Sequence, residues 1–209
     1  LVDYNRCGVP LIEIVSEPDM RSSAEAKAYL DTIKSILQYI DISDCKMQEG
    51  SIRCDINVSV REKGSDKLGT RTEMKNVNSF SGAVRAIEYE SARQIEMIKQ
   101  GIPIEQETRR WDDSKGENFV MRSKENANDY RYFPEPDLPP IILTKERVEN
   151  LKKTIPELPN VKALRYMKDY SLPFADVQLL ADDQKKAQFF ETCIALGGCQ
   201  PKGVSNWIL

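Results

Sequence analysis

The 209-residue sequence contains no histidine. That excludes Ser-His-Asp and Cys-His catalysis within these residues, and any His-ligated zinc. No apolar run approaches the ~18–20 residues that a membrane-spanning helix needs, so no membrane partner is expected. Cysteine is scarce and unpaired. Cys7, Cys45, Cys54, Cys193 and Cys199 are odd in number and form no CxxC pair. Free thiols in a reducing cytoplasm fit this usage better than a disulfide framework or a metal knuckle. Walker-type and GxGxxG loops are both missing, which leaves P-loop and Rossmann nucleotide sites unsupported. Nor is there an excess of positive charge: the net charge is −3. Any RNA contact must therefore come from a local patch rather than a global field. At the ends, Leu1-Val2-Asp3-Tyr4 carries neither an initiator Met nor leader features, and Trp207-Ile208-Leu209 stops on an apolar stretch. Both ends read as cuts, so the chain is expected to be a fragment.

What is present describes an ordinary globular chain, 40% hydrophobic and 30% charged. Its length suits one large domain, or one domain and part of another. The short β-branched run Val9–Val15 predicts a buried strand interrupted by Glu13. Ser22 with Glu25 forms a capping box, and Ala26, Tyr29, Leu30, Ile33, Ile36, Leu37 and Ile40 continue as a helical stripe. Ser51–Arg61 alternates without a break: Ile52, Cys54, Ile56, Val58 and Val60 share one face, while Arg53, Asp55 and Asn57 share the other. After a turn at Lys63-Gly64-Ser65-Asp66, Thr70–Val77 puts Arg71, Glu73 and Lys75 on one face, predicting an antiparallel hairpin. Asn78-Ser79 opens a long helix whose expected inner stripe is Phe80, Val84, Ile87, Ser91, Ile95 and Ile98, ended by Gly101 and Pro103. Glu107–Trp111 and Phe119–Ser123 predict a second hairpin. Tyr132–Pro140, with four prolines, predicts a rigid connector. From Thr144 the pattern turns helical, over Thr144–Lys153, Asn160–Tyr170 and Asp182–Leu196. The expected class is α+β: an antiparallel sheet with helices over residues 1–143, then a mostly helical region over 144–209.

The polar faces of the first two sheet strands bring Asp55 and Glu73 within reach of each other, beside Arg53, Asn57, Arg71 and Lys75. Carboxylate oxygens suit Mg²⁺, and Arg and Lys suit phosphate oxygens. Phosphoryl transfer needs little beyond such positioning and charge. The same pattern also describes cross-strand ion pairs on a solvated face, and alternation alone leaves both readings open. Glu13 is either a structurally paired carboxylate or one aimed into a pocket. Arg109, Arg110, Arg122 and Arg131 could hold anions or lace a hairpin with salt bridges.

Several stretches go further. They are Val2-Asp3-Tyr4-Asn5-Arg6-Cys7-Gly8-Val9-Pro10-Leu11-Ile12-Glu13, Lys46-Met47-Gln48-Glu49-Gly50-Ser51-Ile52-Arg53-Cys54-Asp55, Glu73-Met74-Lys75-Asn76-Val77-Asn78-Ser79-Phe80, Gln106-Glu107-Thr108-Arg109-Arg110-Trp111-Asp112 and Asp129-Tyr130-Arg131-Tyr132-Phe133-Pro134-Glu135-Pro136-Asp137. Together they resemble the B subunit of the bacterial-type tRNA-dependent amidotransferases, which are glutamine-hydrolysing carbon–nitrogen ligases. The resemblance implies a cradle domain similar to glutamine synthetase and guanido kinases, followed by a helical domain. It implies ATP-driven phosphorylation of the side-chain carboxylate of misacylated Glu-tRNA(Gln) or Asp-tRNA(Asn), then amidation by ammonia. The implied partners are an amidase A subunit that releases the ammonia, a small C subunit and the misacylated tRNA. By matching positions, Asp55 and Glu73 are expected as catalytic metal ligands for Mg²⁺. Arg53, Asn57 and Lys75 are expected as nucleotide contacts for ATP, with Glu13 as a weaker candidate. Gln48 stands where relatives often carry Glu. The family's N-terminal segment, which brings a His and further carboxylates, has no counterpart here, so the fragment is expected to be inactive alone. Two rivals are a non-catalytic RNA-binding scaffold and the related archaeal subunit, whose larger inserted domain finds no match.

Overall fold

A computed structural model of the chain describes residues 2–5, 8–123 and 136–209, with the backbone alone for residues 122 and 123. The part of the proline-rich motif at residues 129–135, which includes Arg131, and the side chain of Arg122 lie outside the described residues.

The first helix, α1 (Ser23–Tyr39), begins where the sequence places it. The Ser22 hydroxyl accepts from the Glu25 amide at 3.1 Å, and the Glu25 carboxylate in turn takes the Arg21 amide. The capping box is thus shifted one residue outward on its return bond. Beyond a 3₁₀ turn at Met47–Glu49 comes β1 (Cys54–Val58), then β2 (Thr72–Val77), α2 (Phe80–Lys99), β3 (Glu107–Asp112) and β4 (Glu117–Ser123). The rest is helical: α3 (Lys145–Thr154), α4 (Pro159–Tyr170), α5 (Phe174–Ala181), α6 (Gln184–Leu196) and α7 (Pro201–Ile208). The α+β class holds, and both hairpin pairs, β1 with β2 and β3 with β4, are antiparallel.

Three expectations are corrected. The sheet is mixed rather than antiparallel, because β2 and β3 run side by side in parallel, with Glu73 beside Thr108 and Lys75 beside Arg110. The intervening 20-residue helix carries the chain back to the starting end, as a parallel pair requires. Val9–Val15 is no strand: its residues are exposed and pair with nothing among the described residues. A β-branched run becomes a strand only where a ladder partner is at hand. The inner stripe of α2 is Ala83, Ala86, Glu90 and Gln94, while Ile95 and Ile98 are exposed. The short α5 and α7 had no sequence expectation. In α5, apolar residues surround the axis and leave no periodic stripe to read.

The sheet's inner face supplies Ile56, Val58, Met74, Val77 and Trp111, against which Ala83 and Ala86 of α2 pack. Small residues there let the helix axis approach the sheet. At the start of α2, a Cβ on Gly82 would sit 2.9 Å from the Ser79 hydroxyl and 3.2 Å from Asp113. A second cluster, Tyr166, Leu172, Val177, Leu180 and Phe190, belongs to the helices after residue 143. Tyr39 of α1 reaches toward them, with the Lys162 ammonium 6.0 Å from its ring. Burial and the nearby Glu191 and Glu157 charges push the Tyr39 hydroxyl up to about 12, and it has no hydrogen-bond partner among the described residues. No helix among the described residues is long and apolar enough to cross a membrane.

Between α2 and the sheet lies a buried polar network. Glu90 is fully buried and accepts from Arg93 Nε (2.9 Å) and Nη2 (2.7 Å), Gln94 at 2.7 Å and Asn118 at 2.8 Å. Arg109 donates to Asn118 at 2.6 Å and pairs with Glu107. Gln94 also donates to the Val58 carbonyl and the Thr72 hydroxyl, and accepts from the Val60 amide. Burial works to raise the Glu90 carboxyl, but the donors from Arg93, Gln94 and Asn118 outweigh it and hold it below its ordinary 4.5. A depressed folded-state value contributes stability that is complete above the unfolded value and lost as pH falls through the folded one. Unfolding midpoints in urea should therefore fall as pH drops below 4.5, and the Glu90→Ala protein should lack that Glu90 contribution to the acid dependence. At neutral pH, Glu90→Ala should cost ~3 kcal/mol, because it strands the buried Asn118 and half-buried Arg93 donors. By contrast, Tyr39→Phe, which removes a buried hydroxyl without a partner among the described residues, should be neutral or raise the unfolding free energy by ~1 kcal/mol.

Candidate functional site

The outward face of the sheet is built from the residues that alternate with that core. Asp55 and Asn57 alternate with Ile56 and Val58 on β1, and Glu73 and Lys75 with Thr72 and Met74 on β2. Register sets Asn57 opposite Glu73. The Lys75 ammonium lies 2.8 Å from Asp55 Oδ2 and 3.2 Å from Glu73 Oε1, so one cation joins carboxylates from neighbouring strands. The parallel neighbour β3 adds Thr108, whose buried hydroxyl donates to Glu73 Oε2 at 2.9 Å. Exposure grades from 16% at Glu73 through 37% at Lys75 to 52% at Asp55, so the group runs from the sheet's interior to its rim. Hydrogen bonding to Asp55, opposed by partial burial and reinforced by Glu73, holds the Lys75 amine above its usual value.

Beside this group is a depression of about 290 Å³ whose wall includes Gln48, Glu49, Arg53, Asp55 and Asn76. That volume is at the low end for small-molecule sites and suits a phosphate group with a cation rather than a whole nucleotide. Its floor is the 3₁₀ turn, which closes on Gly50 in the left-handed region (φ 76°). Arg53 is exposed on the wall with no ion pair among the described residues, leaving its planar fork available for an anion. Cys54 is no nucleophile here: burial, then the Asp55 charge, push its thiol up to about 11. The donor set fits a hard divalent ion through two carboxylates, the number Mg²⁺ commonly takes from protein. Among the described residues no group of three or more Asp, Glu or Cys forms a fuller cage.

The family description "GatB/GatE catalytic domain" matches residues 1–149, the span that holds the sheet, α1, α2 and this outward group. The chain belongs to that family. Three curated relatives match over all 209 residues, each named as the B subunit of an aspartyl/glutamyl-tRNA(Asn/Gln) amidotransferase. They come from Caldicellulosiruptor bescii (58% identical), Lachnoclostridium phytofermentans (57%) and Agathobacter rectalis (54%). The chain spans 43–44% of their lengths.

Within this GatB/GatE-type domain, the residues expected from the sequence divide by geometry. Asp55, Glu73 and Lys75 are in contact, and Arg53 and Asn57 flank them on the same strand face or its approach. Glu13 lies in the exposed segment without a hydrogen bond or ion pair among the described residues. Of the arginine set, Arg109 is spent inside the buried network and Arg110 is on the outward face beside Lys75. Two residues at the group had no sequence role: Thr108 and Asn76. The signal for Asn76 was legible, since apolar spacing jumps from Met74 to Val77 where alternation demands residue 76. Because the ions are partly exposed, their pairing should contribute little to stability. Lys75→Met is expected to cost less than ~1 kcal/mol in urea unfolding, separating any functional loss from loss of fold.

Proposed function

We propose that this chain carries part of the phosphoryl-transfer surface of a GatB-type subunit, within a longer polypeptide that converts misacylated Glu-tRNA(Gln) or Asp-tRNA(Asn) to the amide. The observation that carries the reading is the convergence of Asp55 and Glu73 on one cation beside a phosphate-sized depression. The names of the relatives support the substrate class. A side-chain carboxylate is a poor acyl donor. Transfer of the ATP γ-phosphoryl group to its oxygen gives an acyl phosphate and ADP, and ammonia then forms the C–N bond as phosphate leaves. In this reading Asp55 and Glu73 would hold Mg²⁺ through their carboxylate oxygens. The ion, when bound, supplies charge neutralisation of the transferred phosphoryl oxygens. Lys75 would then be released to offer its ammonium to a phosphate oxygen, and Arg53 would offer its fork to another. Asn57 adds a neutral donor on the same face. An amidase A subunit supplies the ammonia, a small C subunit joins them, and the assembly works in the cytoplasm.

The same reading takes residues 1–143 as part of the catalytic cradle and 144–209 as the start of a helical domain. The separate apolar cluster of Tyr166, Val177 and Phe190 supports that division. Asp55→Asn and Glu73→Gln in the full-length subunit test the function. Each is expected to lower tRNA-dependent ADP formation by roughly a hundredfold while leaving assembly with the partner subunits unchanged. Unaltered turnover in both variants would overturn the reading in favour of a non-catalytic scaffold.

A further inference from the structure

We propose that Phe119 is a stacking platform for the base of the nucleotide, with Arg110 holding a phosphate between base and carboxylates; this extends the function proposed above to the far end of its ATP and rests on it. Strand register brings the side chains into line. Lys75 of β2 is the parallel partner of Arg110 on β3, and Arg110 is the antiparallel partner of Phe119 on β4. All three face outward, because their neighbours Met74, Trp111 and Asn118 are buried on the inner side. Asp55 of β1 is bonded to Lys75, so one row of side chains crosses all four strands. From β1 to β4 it runs carboxylate, ammonium, guanidinium, aromatic ring.

That order of chemistry suits a nucleoside triphosphate lying across the strands. The groups on β1 and β2 take the terminal phosphates and their ion, and the Arg110 fork, one strand further on, takes an inner phosphate. Arg110 is exposed and has no hydrogen bond or ion pair among the described residues. Neighbouring strands lie ~4.8 Å apart, so β4 is roughly 10 Å from β2, a gap that a ribose and two phosphates bridge. Phe119 is not consumed by the core. It is 40% exposed, on the last strand of the sheet among the described residues. Lys115, from the turn between β3 and β4, sets its ammonium 4.8 Å from the ring centroid. An exposed ring flanked by an ammonium and a guanidinium can take a base by its π-face while the cations hold its phosphates.

Equilibrium binding of Mg²⁺-ATP and of Mg²⁺-tripolyphosphate to the full-length subunit tests this, because only the first ligand carries a base. Phe119→Ala should weaken Mg²⁺-ATP about tenfold and leave Mg²⁺-tripolyphosphate unchanged, and Phe119→Trp should recover the loss. Arg110→Gln should weaken both ligands about tenfold. A second readout needs no variant. An azido-purine triphosphate, photolysed on the wild-type subunit and mapped by mass spectrometry, should attach within the hairpin of β3 and β4. Unchanged Mg²⁺-ATP affinity in Phe119→Ala overturns the inference, and so does an equal loss of both ligands. Attachment of the photoprobe only outside the hairpin overturns it as well, even if Phe119→Ala does not fold. If Phe119→Ala spares Mg²⁺-ATP but weakens tRNA binding, the ring serves RNA and the inference fails. Asp55→Asn judges the underlying reading separately. Normal binding of both ligands there removes the proposed metal site, whereas the contrast between the two ligands at Phe119 still decides the platform.

Discussion

Placing Glu90 and Gln94 on the inner stripe of α2 puts a charge and an amide where a helix normally buries leucine or isoleucine. A buried carboxylate is tolerated only when its oxygens are taken up by strong donors, and here Arg93, Gln94 and Asn118 do so. The requirement is geometric as much as energetic. Asn118 comes from β4, and Arg109, bonded to Asn118, comes from β3. Gln94 reaches the Val58 carbonyl of β1 and the Thr72 hydroxyl of β2. A single pair of helical side chains therefore fixes α2 against all four strands. Sliding the helix by one turn would strand several buried polar groups at once, which apolar packing alone would not punish so sharply.

That fixed register sets the outward face. With α2 bridging β2 and β3, the strands lie parallel, and Thr108 comes beside Glu73 instead of at the far end of a third antiparallel strand. The two faces of the sheet then differ in kind. On the inner face charges are satisfied by protein donors and cannot change partners cheaply. On the outer face the Asp55–Lys75–Glu73 group is partly open to water, where an ion pair contributes little and is exchanged easily. The fold keeps its rigid electrostatics under the helix and its adjustable electrostatics on the face open to water.

How much of this was legible follows residue by residue. The unbroken alternation of Ser51–Arg61 revealed which side chains of β1 point out, and it placed Asp55 correctly because period-two patterning survives any tertiary arrangement. Ser79 as a cap and Gly101 as a stop marked α2 well, since capping is local chemistry. The face of that helix was not legible. Apolar periodicity points Ile95 and Ile98 inward, yet they are exposed while Glu90 and Gln94 are buried. Only knowledge of Asn118, Arg109 and Thr72, distant in sequence, makes buried polar positions tolerable. The parallel pairing was hidden for a related reason: two hairpins read identically whether their inner strands meet parallel or antiparallel. At Val9–Val15 composition favoured a strand, but no ladder partner exists among the described residues.

The outward group follows from charge as well as parity. Two carboxylates on adjacent strands repel unless a cation stands between them, and the alternation of β2 faces Asp55 with the Lys75 ammonium. Past Lys75, one extra residue on β2 opposite Asp55 returns Val77 to the core. On the proposed reading the ammonium then has two uses. It holds Asp55 and Glu73 together in the resting protein, and it is replaced there by a hard divalent ion when nucleotide binds, moving its charge to phosphate. A lysine suits that exchange better than an arginine would, because a compact charge on a flexible stem leaves a carboxylate more readily than a bidentate fork does. The buried network is held by arginines, Arg93 and Arg109, whereas a lysine stands between the two outward carboxylates, where the partner must change.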